Sequence, residues 1–241
     1  MILTTRNAAA ALLLLSITLP ARAVPLQDLF NGASLVAGDK LFDNWFLVLT
    51  DASNPGLLPD LTAIDVVPLA DGGNDPGPGL RFDLGGELTL AQGATPNPFI
   101  ELFFSYRVAS LGNAFIKDNS LFFQSGLVTL AGDNGSVVEE FVGSAVGLGD
   151  LATKTIELSY LDGQGLTEQL SDQAVFAPRS DIFVQTGIQV YIDDLGPNPP
   201  SGDIVGVTSF EQRFSQIELT EPAPLALVAL GLIGLGLARR R

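Results

Sequence analysis

The chain contains no cysteine and no histidine. Without cysteine there is no disulfide, no thiol nucleophile and no thiolate zinc site. Without histidine the usual general base and the commonest transition-metal ligand are missing, and a Ser-His-Asp triad cannot be built. Basic residues are scarce. Twelve Lys and Arg stand against 27 Asp and Glu, and five of the twelve (Arg6, Arg22, Arg239, Arg240 and Arg241) sit near the two ends. Residues 24–221 therefore carry seven basic and 27 acidic side chains, a net charge of −20. So acidic a surface repels nucleic acid and anionic lipid, which excludes both as partners. It favours solubility outside the cell and attracts cations. Tryptophan occurs once, as Trp45, and its default role is to anchor the core.

The ends read as addresses. Arg6 supplies a positive start, Ala8 to Leu19 an apolar stretch, and Ala21-Arg22-Ala23 a small-x-small site. Together they predict a secretory signal, residues 1–23, cut after Ala23. At the other end, Thr220-Glu221-Pro222-Ala223-Pro224 breaks any preceding element. The run from Leu225 to Ala238 holds only Leu, Val, Ile, Ala and Gly, and Arg239-Arg240-Arg241 closes the chain. Fourteen helical residues span about 21 Å, short of the roughly 20 residues a bilayer core asks for. Snorkelling arginines and bilayer thinning cover part of the difference. The basic end belongs on the cytoplasmic side.

This tripartite tail resembles the PEP-CTERM sorting signal, on Glu221-Pro222-Ala223, the glycine-punctuated 225–238 stretch and the terminal arginines. It departs at Thr220, where the family carries its first proline. The resemblance implies an exosortase-type processing enzyme as partner, transient residence in the inner membrane, and delivery to the cell envelope or extracellular matrix. The opening Gly38-Asp39-Lys40 with its following aromatics is similar to the start of many ectodomains of that family. About a tenth of the chain carries the resemblance, and it concerns an address rather than an activity.

Between the ends, residues 24–219 are expected to form one all-β domain, an antiparallel β-sandwich. Leu102, Phe104, Tyr106 and Val108 alternate with Phe103, Ser105 and Arg107. Ile156, Leu158 and Tyr160 alternate with Thr155, Glu157 and Ser159. Ile188, Val190 and Ile192 repeat the pattern, and Ile217 and Leu219 are expected to point inward. A period of two is a strand with one buried face. Gly85-Gly86 predicts a hairpin, and Asp133-Asn-Gly-Ser136 predicts a turn. The only helical pattern of any strength in the domain, Thr167 to Ala174, is weak. Turn residues recurring every 8 to 17 positions argue for a sandwich over βαβ units.

Chemistry is sought in the carboxylates. Calcium, an oxygen-seeking cation, is the one cofactor the composition points to. Asp71, Asn74 and Asp75 in one glycine-rich loop and Asp193-Asp194 in another are the first candidates, followed by Asp133-Asn134 and Asp162. The competing role of Asp and Asn is simple turn formation. Three functions are weighed: a non-enzymatic surface or matrix protein, a calcium-assisted carbohydrate-binding or adhesion module, and a glycoside-active enzyme. Extracellular polysaccharide is the candidate ligand, with Phe103, Phe123 or Tyr191 as stacking platforms. The enzyme ranks last. Glycoside cleavage needs two carboxyl groups across one bond, and the adjacent Glu139 and Glu140 point to opposite faces of a strand.

Overall fold

The computed structural model describes residues 22–92, 96–130, 132–193 and 202–218. Residues 219–241, which include Leu219, the Glu221-Pro222-Ala223 motif, the 225–238 stretch and the terminal arginines, lie outside these, as do most of the 1–23 segment and Asp194. Among the described residues no helix is long and apolar enough to cross a membrane.

The chain enters as β1 (Val24–Pro25) and a short helix α1 (Leu26–Phe30). It continues as β2 (Leu35–Ala37), β3 (Lys40–Ala52), β4 (Asp65–Leu69), β5 (Gly79–Asp83) and β6 (Thr89–Ala91). Then come β7 (Phe99–Ser110), β8 (Ala114–Val128), β9 (Asp133–Gly143), β10 (Ala152–Leu161), β11 (Gly165–Gln169) and β12 (Ser171–Arg179). The last strands are β13 (Asp181–Asp193), β14 (Ile204–Arg213) and β15 (Gln216–Glu218).

They make two antiparallel sheets. One runs β1-β4-β5-β14-β8-β12, with β6 also on β14 and β15 also on β8; the other runs β11-β10-β9-β13-β7-β3-β2. This is the expected sandwich. The alternating residues behave as their period predicts: Leu102, Phe104, Tyr106 and Val108 are fully buried, as are Ile188 and Val190. Trp45 is buried too. It stacks on Tyr106 with ring centroids 4.3 Å apart, and its N–H donates to the Phe42 carbonyl at 3.2 Å. Offset aromatic stacking of this kind adds about 0.5–1.5 kcal/mol beyond burial.

Four local expectations are corrected. Gly85-Gly86 does not close a hairpin. β5 and β6 both pair antiparallel with β14, so they run the same way, end to end. The glycines, at φ +61° and +91°, make a detour that keeps Leu84 and Leu88 fully buried on either side of it. Asp133 to Ser136 is not a turn but the start of β9. Asn134 there is buried and its amide donates to the Thr129 carbonyl at 3.1 Å, so tertiary contacts override turn propensity. Residues 167–174 are strand rather than helix. β11 is an edge strand exposed along nearly its whole length, so no buried face imposes a period of two on its sequence. Ile217 does not point inward; it lies exposed on the three-residue β15.

Candidate functional site

The outer face of the seven-stranded sheet carries a row of aromatic rings where β7 and β13 pair. Tyr191 stands opposite Phe99, Gln189 opposite Glu101, and Gly187 opposite Phe103. On the flanks, β3 places Asp51 beside Glu101 and Leu49 beside Phe103, while β9 places Gly135 beside Tyr191. An open cleft of about 380 Å³ lies over this ground, bounded by Asp51, Asn97, Phe99 and Glu101 on one side and Gln189, Tyr191, Ile192 and Asp193 on the other.

Glycines fix the rings. A Cβ on Gly187 would come within 2.3 Å of the Phe103 ring, and one on Gly135 within 2.8 Å of the Tyr191 hydroxyl. Both rings therefore lie over bare backbone, along the sheet instead of standing off it. Phe99, Phe103 and Tyr191 are each half-buried, leaving part of every ring open to solvent. Between them Gln189 Nε2 donates to Glu101 Oε1 at 2.6 Å, a directed polar pair in an apolar strip. β3 is bulged twice against β7, and around the bulges Phe46, Leu47, Val48 and Leu49 are all exposed. The apolar strip so extends past the cleft.

The field over the cleft is negative. Burial first, then the carboxylates of Glu157, Asp133 and Asp193, raise the pKa of Tyr191. Its hydroxyl stays a neutral donor. Asp51, Glu101 and Asp193 offer acceptors only.

The sequence candidates fall in different places. Tyr191 and Phe103 share the cleft face. Phe123 does not: it is on β8 in the other sheet, packed against the core. Asp193 borders the cleft and stands opposite Asp133 in register; Asp133 Oδ1 in turn accepts from the Asp162 N–H at 2.6 Å. Three loops that looked separate thus meet at one end of the sheet. Asp71, Asn74 and Asp75 are elsewhere, and protein groups already engage them. Asp71 pairs with Arg213 at 2.7 Å, which holds its carboxyl below the ordinary range; Asn74 accepts from Gln216 Nε2 at 2.9 Å; Asp75 lies 3.4 Å from Lys117 Nζ. Among the described residues no three His, Cys, Asp or Glu side chains gather in a way that could hold a metal ion. Glu139 and Glu140 do face opposite ways, the first half-buried and the second fully buried.

Phe99, Glu101, Gln189 and Asp51 were not singled out from sequence. Their signal was present, since Phe99 and Glu101 share parity with Phe103, and Gln189 shares it with Tyr191.

No protein-family model matches this chain, and no curated protein matches it. Among solved structures, a structure of TmCBM61 in complex with beta-1,4-galactotriose aligns at 12% identity with a TM-score of 0.26. The alignment covers 73% of this chain and 89% of that one.

Proposed function

We propose that this chain is an exported, non-enzymatic surface or matrix protein whose sandwich binds polysaccharide along the outer face of the seven-stranded sheet. One observation carries the reading: Phe99 and Tyr191 line an open cleft where β7 meets β13, and Phe103 lies next along the same face, with the Tyr191 and Phe103 rings seated over glycines. Ring faces held along a sheet suit the apolar faces of sugar rings, and nearby carboxylates accept from sugar hydroxyls. An open cleft admits the middle of a long chain rather than only its end. The acidic surroundings favour a neutral glycan over one bearing uronates. Calcium would enter only with an anionic glycan, which must bring most of its oxygen ligands, because no three acidic side chains gather to hold it among the described residues. The Glu221-Pro222-Ala223 signal and its terminal arginines would deliver the domain to the surface through an exosortase-type enzyme.

Affinity electrophoresis through gels containing single polysaccharides tests this. The protein is expected to be retarded by at least one neutral galactan, glucan or xylan without turnover. Polygalacturonate is expected to retard it only when calcium is added. Free migration through every gel, or steady release of reducing ends, would contradict the proposal.

A further inference from the structure

Away from the cleft, the core holds charges that the binding reading does not use. Lys154 on β10 and Glu140 on β9 are paired directly across the two strands, with Lys154 Nζ 3.1 Å from Glu140 Oε1. Both side chains are completely shielded from solvent. Asn119, on β8 of the opposite sheet, is equally buried, and Lys154 Nζ also donates to its Oδ1. Asn119 Nδ2 donates to the Arg213 carbonyl at 3.3 Å. The amides of Asn119 and Gln212 stand beside Glu140, yet its Oε2 has no well-directed hydrogen bond. Tyr106 donates to Gln212, and Gln212 donates to Thr186 at 2.8 Å, so polar groups close the cluster on that side.

As an ion pair this is a costly arrangement. A buried pair replaced by apolar residues is often no less stable. As a reactive triad the placement has a purpose: an amine, a carboxamide and a carboxyl group meet in a site closed to water. We propose that Lys154 and Asn119 become joined by an intramolecular isopeptide bond, with Glu140 as the proton carrier.

The step balances without an oxidant or a cofactor. A proton passes from the Lys154 ammonium to Glu140, leaving a neutral amine. The Nζ lone pair attacks Asn119 Cγ while the protonated Glu140 hydrogen-bonds Oδ1 and stabilises the oxyanion. Glu140 then gives its proton to Nδ2 and takes the surplus proton from Nζ, ending as the neutral acid. The Cγ–Nδ2 bond breaks and ammonia leaves. A primary amide and an amine have become a secondary amide plus NH3, with no change of oxidation state. Desolvation supports the first transfer, since burial raises the Glu140 pKa against the pull of Lys154. Three groups held in contact supply the effective concentration. The product would tie one sheet to the other in a domain that has no disulfide.

Tryptic mapping of the folded full-length chain reads this directly. Lys154 is the only trypsin site between Lys117 and Arg179. Acylated, it resists cleavage. We expect one uncut peptide, residues 118–179, lighter than its sequence mass by about 17 Da, one ammonia. Glu140→Gln should release residues 118–154 and 155–179 separately, at unaltered mass. If that variant does not fold, Asn119→Asp serves instead, and should lose one water where the parent loses ammonia. Separate peptides at full mass from the folded parent would overturn the proposal. So would a loss of ammonia with Lys154 still cut, because that marks a succinimide at Asn119.

Discussion

At the scale of single residues, the tyrosines report the two environments that matter. Tyr106 is fully buried; burial, then the nearby Glu140, push its pKa well above the ordinary phenol. Tyr191 is raised by partial burial and by three carboxylates. A folded form that holds phenol protons more tightly than the unfolded one keeps its full stability below about pH 10 and loses it as pH climbs through the raised values. Absorbance titration at alkaline pH should therefore show Tyr106 ionising only together with loss of near-UV circular dichroism. A Tyr106 that ionises in the intact fold would mean its surroundings are wetter than the structure has them. Trp45 makes a poor reporter of ligands, since it sits in the core against Tyr106 and Phe82, away from the cleft face.

At the scale of elements, the β7–β13 pair makes the cleft, and small residues in it are as telling as large ones. Gly187→Ala puts a methyl group where the Phe103 ring lies, at 2.3 Å. The ring must lift or the strand must shift, at a cost of about 1–3 kcal/mol. Weaker glycan retention together with a lower unfolding midpoint is expected; an unchanged midpoint would mean that the ring does not rest on Gly187. Much of this layer was legible in the sequence. The alternations in β7 and β13, and in β10 as far as Leu158, named the buried faces, because one-sided burial writes a period of two; at the end of β10 Ser159 is buried and Tyr160 is half-buried instead. Where burial is lacking, as along β11, or where a strand is interrupted but keeps its direction, as at Gly85-Gly86, local patterning misled. The cleft was half legible: Phe103 and Tyr191 stood out as aromatics, while Glu101 and Gln189 matter only through a pairing that register alone reveals. The buried triad could have been found by parity. Lys154 shares the face of Ile156, Glu140 that of Val138 and Val142, and Asn119 that of Leu121. A charged residue on a core face is a signal.

At the scale of the whole molecule, two features go together. The domain carries strong net negative charge, and its basic residues are mostly spent within the structure: Arg107 clamps Asp43 through two nitrogens at 2.9 and 2.7 Å, Arg213 holds Asp71, and Lys40 is buried and donates to Asp39 and Gln216. The molecule thus presents acceptors and aromatic rings outward and keeps its cations for assembly. Such a surface suits uncharged, hydroxyl-rich polymers.

The central claim is that glycan contacts the Phe99–Tyr191 face. The most direct measurement is the dissociation constant of the retained polysaccharide for the parent and for Tyr191→Ala, by affinity electrophoresis over a series of glycan concentrations. Losing one stacking ring at about 1.4 kcal/mol should weaken binding roughly tenfold. The unfolding midpoint should hardly move, as the ring is half exposed. Equal affinity in the two proteins would place binding elsewhere and contradict the account.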